Sequence, residues 1–249
     1  MATTNTEPLI EQVTSAEDFT HIFSCISEAF GRQARDALWM VLNPDWEDEK
    51  GQEKGAADLV KRWNAVKTNK NGLPNTVFLK ATLPDSADES KRKIVGMAIW
   101  EQCSFVDGYG IQPSEDLGDA LNGLDPNEAR FASQMFRSLW KRRIEYTKEK
   151  STADPPAIFV LDMCCVHPSF QRRGIAQKLV QWGLGEAKRR GGLECTTEAS
   201  SMGRGAYVKL AFRDEGVGDI VYDVDGEFKD RDKPPNVFLR TGIIPWQES

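Results

Sequence analysis

The sequence predicts an α/β domain in which helices cover both faces of a mixed sheet. Three observations carry that expectation. Short apolar runs alternate with longer runs of helical spacing, in the order strand, helices, strands, helix, strand, helix, strand, helix, strands, and such an order is built as helices layered on a sheet. The apolar run Ala157 to Val166 passes through a tight turn into an amphipathic run that starts at Gly174. With 40% hydrophobic residues in 249, the chain can bury a sizeable core.

Leu9 to Val13 reads as a short first strand. Ser15 followed by Asp18 resembles a capping box, and Phe19, Ile22, Phe23, Ile26 and Phe30 then recur at helical spacing up to Gly31. A second helix, Ala34 to Leu42, stops before Asn43-Pro44, and Ala56 to Val66 carries a third helical pattern. Thr76 to Ala81 and Lys93 to Glu101 read as strands. Gln102 to Asn127, rich in Gly, Pro and Asp, is long for a connection, and such loops are functional or mobile. Met135, Phe136, Leu139, Trp140 and Ile144 stripe a long helix, which Pro155-Pro156 separates from strand Ala157 to Val166. The next helix shows Ala176, Val180, Gly183 and Ala187 on one face. Leu193 to Ala199 is a strand, Tyr207 falls on a short helix, Ile220, Tyr222 and Val224 alternate as a strand, and Asn236 to Arg240 reads as the last. One domain is expected over 8–249, with an insertion at about 102–156 and a flexible N-terminus at 1–7.

Composition narrows the partners. The net charge of −6 argues against a nucleic-acid partner, which needs a basic footprint. Lys141-Arg142-Arg143 and Lys188-Arg189-Arg190 are short basic clusters on predicted helices, where a solvated face is the default. No run approaches the roughly 20 apolar residues of a membrane helix, and the N-terminus lacks a signal-peptide pattern, so a cytoplasmic protein is expected, with the nucleus open. Five cysteines without framework spacing read as reduced thiols. Two histidines and no Cys-x-x-Cys predict no metal site.

The turn Val166-His167-Pro168-Ser169-Phe170-Gln171-Arg172-Arg173-Gly174-Ile175-Ala176 is the strongest signal. A helix start offers free amides and partial positive charge to a phosphate. Gly174 is followed by Ile175 and Ala176, which fails the Gly-Lys-Ser/Thr end of a Walker loop, and a single glycine fails the dinucleotide fingerprint. Gln171, Gly174 and Ala176 meet a Gln/Arg-x-x-Gly-x-Gly/Ala pattern that resembles motif A of the GNAT acetyltransferase superfamily, which binds the pyrophosphate of acetyl-coenzyme A. Upstream, Leu161-Asp162-Met163-Cys164-Cys165-Val166-x-Pro168 is similar to the family's fourth strand and its exit. Downstream, Tyr207-Val208-Lys209-Leu210-Ala211-Phe212 is similar to its Tyr-x-Lys-x-Gly-Phe segment, with Ala211 in place of the glycine. Together these cover Ala157 to Phe212, with weaker likeness at Val77 to Lys80 and Ile94 to Trp100, in a style similar to fungal members.

The resemblance implies a GNAT fold: a mixed, mostly antiparallel sheet whose fourth and fifth strands splay apart and admit acetyl-coenzyme A. It implies pantetheine contacts from a β-bulge near Cys164, Cys165 and Val166, a pyrophosphate loop of Gln171, Arg172, Arg173, Gly174, Ile175, Ala176 and Gln177, and a cofactor contact at Ser200. It implies an enzyme that moves an acetyl group to a primary amine by direct attack in a ternary complex. A small-molecule amine is the first reading; a peptide or protein lysine or N-terminus, and a non-catalytic acyl-coenzyme A-binding domain, are the alternatives. Tyr207 is the candidate general acid, since a phenol keeps its proton at neutral pH. Asp162, Glu198 and Glu101, each on or beside a central strand, are open candidates for the base, against the plainer reading that each pairs with an arginine. Cys164 or Cys165 as a nucleophile near His167 is weighed against packing as small hydrophobes. Arg189 and Arg190 either reach the ribose phosphate or complement a helix end. A monomer or homodimer is expected.

Overall fold

The structure, a computed structural model, describes residues 7–85, 87, 88 and 90–242. Its frame is one seven-stranded sheet in the order β1-β2-β3-β4-β5-β7-β6. The strands are β1 (Leu9–Gln12), β2 (Thr76–Pro84), β3 (Arg92–Cys103), β4 (Ile158–Val166), β5 (Glu194–Ala199), β6 (Arg213–Asp214) and β7 (Val237–Arg240). Every pairing is antiparallel except β4 with β5, which is parallel. The expected flexible start at 1–7 falls almost wholly outside the described residues; Glu7 itself is bonded to Lys178 and, through its carbonyl, to Arg92.

Side-chain alternation divides the core between the two faces of the sheet. One face carries Val77, Leu79, Ala98, Trp100, Phe159 and Leu161 beneath α5 (Ile175–Arg189) and α6 (Ser201–Val208). Gly183 is required there, because a Cβ would lie 2.0 Å from the Trp100 ring. The other face carries Phe78, Met97 and Ile99 beneath α1 (Asp18–Ile26) and α3 (Glu49–Asn64). On that same face α4 (Pro126–Glu149) places Tyr146 against Ile158, Val160 and Phe238, and its first half packs on α2 (Ala37–Leu42). Between α1 and α2 the chain turns through a π-helical segment, Ser27–Gln33.

Ile220 to Val224 is not a strand. The alternation is real, but it lays an extended segment along α4 instead of a sheet edge. Tyr222 and Val224 pack into the cluster of Leu38, Phe131 and Met135. The amides of Asp223 and Asp225 donate to Ser138 Oγ and Gln134 Oε1, one helical turn apart, at 3.0 and 2.8 Å. The helix side chains thus supply what a neighbouring strand would have supplied. The loop after β3 is tied down at both ends of its course. Ile111 N–H donates to Gln102 O and Ser104 N–H to Ile111 O, while Leu117 and Leu121 pack beside α2 and α4.

Candidate active site

β4 and β5 pair only at Ile158–Glu194, Phe159–Cys195 and Val160–Thr196. Both strands continue, β4 to Val166 and β5 to Ala199, without pairing. Beyond Val160 the two strands diverge: Thr197 Oγ1 still donates to Leu161 O at 2.9 Å, and past it the edge of β4 has no β5 partner, which leaves the gap. The register with β3 skips from Ile99–Met163 to Trp100–Leu161, so Asp162 is an extra residue on β4. The bulge lies at Asp162, two residues before the Cys164 to Val166 stretch where the resemblance places it. It turns Asp162 and Met163 to the α1/α3/α4 face, while Cys164 joins the core under α5 and α6 and Cys165 the opposite core.

The turn after β4 is shaped to present amides. Arg172 has φ 64° and Gly174 has φ 75°, both left-handed, and Gly174 is the N-cap of α5 with no side-chain cap. The first helical bond is Lys178 N–H to Gly174 O at 3.1 Å, so the preceding helical amides are left for a ligand. Successive amides bracketed by left-handed residues make an anion-binding concavity. A Cβ on Gly174 would meet only Gln177 Oε1, at 4.0 Å, so backbone conformation rather than space reserves the position for glycine. Arg172 and Arg173 are exposed, the latter with its guanidinium 5.4 Å from the Phe170 ring. Ile175 is buried, and Ala176 is partly buried against the core. Gln171 is fixed in place: its Nε2 donates to Val166 O at 3.1 Å, and it exchanges two side-chain hydrogen bonds with Gln33 of the π-helical segment, at 2.7 and 3.1 Å.

Tyr207 is buried on α6, and its phenol hydrogen-bonds the Cys164 sulfur on the lip of the gap. Burial, first of all, holds the phenol's pKa well above 10, so it keeps its proton. The same burial pushes the Cys164 thiol up to about 12, against a smaller opposing effect of Tyr207, and also holds the Cys165 thiol well above its ordinary value. Burial favours both thiols in the neutral form, the state of a packed small hydrophobe and not of a nucleophile. His167 accepts the Ser169 amide through Nδ1, Ser200 caps α6 by accepting from Gly203 N–H at 3.2 Å, and Ala211 sits at φ 68°, where the related segments carry glycine.

The three candidate carboxylates meet in one charge network on the other side of the gap. Arg143 donates to Asp162 Oδ1 at 2.8 Å and to both oxygens of Glu198, Nε to Oε1 at 3.1 Å. One nitrogen of Arg62 donates to Asp162 Oδ2 at 2.6 Å and Glu101 Oε1 at 2.9 Å. Burial alone would raise the Asp162 pKa, but the two guanidiniums outweigh it and hold the carboxyl at about 2. Arg143 is 1% exposed and lies 4.0 Å over the Trp140 ring. The sequence singles out neither arginine for a role. Arg143 reads as part of a solvated basic cluster, although it falls four residues after Leu139 of the apolar stripe, and so on the buried face. Arg190 is likewise buried, bonded to Pro74 O, Gln102 Oε1 and Glu186 at the far end of α5, and Arg189 pairs with Glu186. Arg190 is a packing residue there and not a ribose-phosphate contact.

The comparisons agree with this geometry. Residues 137–212 match the family model of the acetyltransferase (GNAT) family. No curated protein matches the chain in sequence. Among solved structures, arylalkylamine N-acetyltransferase 2 from Aedes aegypti superposes with TM-score 0.54 at 16% identity, covering 94% of this chain and 98% of its own. A structure described as histone acetyltransferase HPA2 and related acetyltransferase, from Corynebacterium glutamicum, gives 0.53 at 17%, covering 97% and 99%. The polyamine N-acetyltransferase of Drosophila melanogaster gives 0.52 at 10%, covering 94% and 97%. The splayed strands and the uncapped turn thus accompany a match to the acetyltransferase (GNAT) family model over 137–212, on a fold shared with solved acetyltransferases.

Proposed function

We propose that the protein transfers an acetyl group from acetyl-coenzyme A to a small primary amine by direct attack in a ternary complex. The observation that carries this is the gap between β4 and β5, with a protonated phenol on one side and a carboxylate network on the other. Bound acetyl-coenzyme A supplies an acetyl thioester at the gap. The amides of 172–177 and the side chains of Arg172 and Arg173 suit its pyrophosphate, and the unpaired edge of Met163 to Val166 suits its pantetheine.

Among the three carboxylates, Glu198 is the proton acceptor in this reading. Asp162 is committed to both arginines and held at about 2, too weak a base for an ammonium. Glu101, on β3 and away from the gap, pairs with Arg62 on α3 and Thr76 on β2. Glu198 lies past the last β4–β5 pair, on the wall of the gap, and among the described residues its carboxylate pairs with Arg143 alone. Glu198 takes the amine proton, which frees the nitrogen lone pair to attack, and Tyr207 Oη gives its proton to the departing sulfur. A small acceptor is favoured over a peptide because α4, the loop after β3 and the 220–224 segment cover this face. The small-amine names of two of the structural relatives agree with it.

The test is a mass-spectrometric screen of amines and lysine peptides with acetyl-coenzyme A. Acetylated small amines with unmodified peptides are expected. Efficient turnover of peptides alone would overturn the small-amine reading, and acetyl-coenzyme A binding without product would make the chain a binding domain.

A further inference from the structure

Arg143 stands where the sheet opens. The β4–β5 ladder ends at Val160–Thr196, and Asp162 and Glu198 follow two residues later on each strand, both bonded to α4. Two carboxylates at corresponding places on parting strands repel each other. The guanidinium of Arg143 serves both. Its Nη1 donates to Asp162 Oδ1 at 2.8 Å, and its Nε and Nη2 donate to the two oxygens of Glu198, Nε at 3.1 Å. One side chain thus bridges the strands where their backbones stop pairing. The guanidinium is also held from α4 itself, where it lies 4.0 Å from the centre of the Trp140 ring.

Burying a guanidinium is costly, and Arg143 is almost wholly buried. Burial alone would lower its pKa, but Glu198 and Asp162 outweigh it and keep the group charged. A planar fork meets both oxygens of one carboxylate and still reaches a second, which the point charge of a lysine does not do. Each Glu198 oxygen accepts one of these bonds and keeps a lone pair for an amine proton. The other groups about Glu198 keep a constant charge near neutral pH. In spite of burial, Asp162 on β4 is held at about 2 by its arginines. Burial, first of all, keeps Cys103 on β3 and Tyr222 beside α4 protonated. Arg62 on α3 bonds Asp162 and Glu101, not Glu198. From β7, the apolar Phe238 stands opposite Glu198, and Asn236 donates to its backbone carbonyl at 3.1 Å.

We propose that Arg143 is a positioning residue for acetyl transfer: it spans the parted strands, aims the Glu198 carboxylate at the gap and sets the pH range in which that carboxylate takes the amine proton. The role rests on the reading of Glu198 as the proton acceptor and adds the residue that tunes it. Asp162 and Trp140 act one step further out, by holding the guanidinium in place.

The experiment measures kcat/KM for 2-phenylethylamine against pH, at saturating acetyl-coenzyme A, for the wild type, Arg143→Gln, Arg143→Lys and Asp162→Asn. The amine is the same throughout, so a displaced acid limb belongs to the protein. Arg143→Gln removes the cation and leaves Asp162, so the limb should move up by about 1 to 3 pH units. Asp162→Asn removes a like charge and leaves Arg143 to Glu198 alone, so the limb should move down. Arg143→Lys keeps the charge and loses the fork, so the limb should stay within about half a unit while kcat falls about tenfold. Carbon NMR of protein labelled at its glutamate carboxyls reads the same shifts without turnover, with Glu198→Gln identifying the resonance. A purely structural residue would lower the rate by one factor at every pH and leave the limb and the resonance in place, and that result overturns the proposal. Should Arg143→Gln fail to fold, a limb and a resonance unmoved in Asp162→Asn overturn it instead. Glu198→Gln separates this role from the reading beneath it. Wild-type turnover in Glu198→Gln removes the proton acceptor, and the role of Arg143 with it. A roughly 10²-fold loss of turnover there, with acetyl-coenzyme A affinity kept, beside an unmoved limb in Arg143→Gln, leaves the acceptor reading standing and overturns the positioning role alone.

Discussion

At the scale of single residues, the site sorts its ionisable groups by environment. Tyr207 is kept protonated by burial, whereas Asp162 is kept ionised by two arginines in spite of burial. Tyr207→Phe removes only the hydroxyl. Acetyl-coenzyme A affinity should persist in calorimetry while kcat falls roughly 10²-fold, the usual scale for loss of a general acid. Wild-type turnover in a variant whose chemical step is rate-limiting would exclude the role. Asp162 gives a stability prediction with a definite sign. Its folded pKa, about 2, lies below the ordinary 3.8, so its contribution is present above about pH 4 and is lost as pH falls towards 2. That contribution is about 2 kcal/mol. Urea melts should show the wild type weakening across this window and Asp162→Asn both less stable at pH 7 and flatter in acid. Parallel curves for the two proteins would place the acid sensitivity in other groups.

At the scale of elements, most of the frame is legible because its cause is local. The strand-turn-helix around Gly174 could be read from one apolar run, one glycine and one amphipathic stripe, and it forms as Ile158–Val166, the turn and Ile175–Arg189. Period two at Ile220, Tyr222 and Val224 was equally visible but ambiguous, because an extended chain laid on a helix shows the same alternation as a strand. The third helix begins at Glu49, seven residues before its apolar pattern, since Asp48 caps it by accepting the Gly51 amide at 2.8 Å. The carboxylates of the site could be picked out because they interrupt strands. That they share Arg62 and Arg143 depends on how α3 and α4 lie on the sheet, which no local spacing states. The turn itself carries the prediction at this scale. At Gly174 the backbone is left-handed, so Gly174→Val must strain or re-aim the first amides of α5. Acetyl-coenzyme A affinity should fall at least tenfold in calorimetry, about 1.4 kcal/mol, while circular dichroism stays native. Wild-type affinity in a folded variant would remove the turn from the cofactor site.

At the scale of the whole molecule, the sheet separates two tasks. The turn at Gly174, α5, α6 and Tyr207 lie together, whereas Glu101, Asp162 and Glu198 face α3 and α4 on the other side. The loop after β3 belongs to the second side. Asp119 pairs with Lys61 next to Arg62 on α3, Glu115 pairs with Arg137 on α4, and Leu117 and Leu121 pack beside α2. The loop therefore spans the elements that border the carboxylate network without touching the Gly174 turn in any bond described. Replacing Gly108 to Asp119 with a short Gly-Ser linker removes Leu117 and the partners of Lys61 and Arg137. Acceptor KM, or the range of amines acetylated, should change severalfold, while acetyl-coenzyme A affinity stays within about twofold, a difference below roughly 0.5 kcal/mol. A loss of cofactor affinity equal to the loss of acceptor affinity would mean that the two faces do not act separately. Unaltered kinetics across the amine panel would place the acceptor path elsewhere on the molecule.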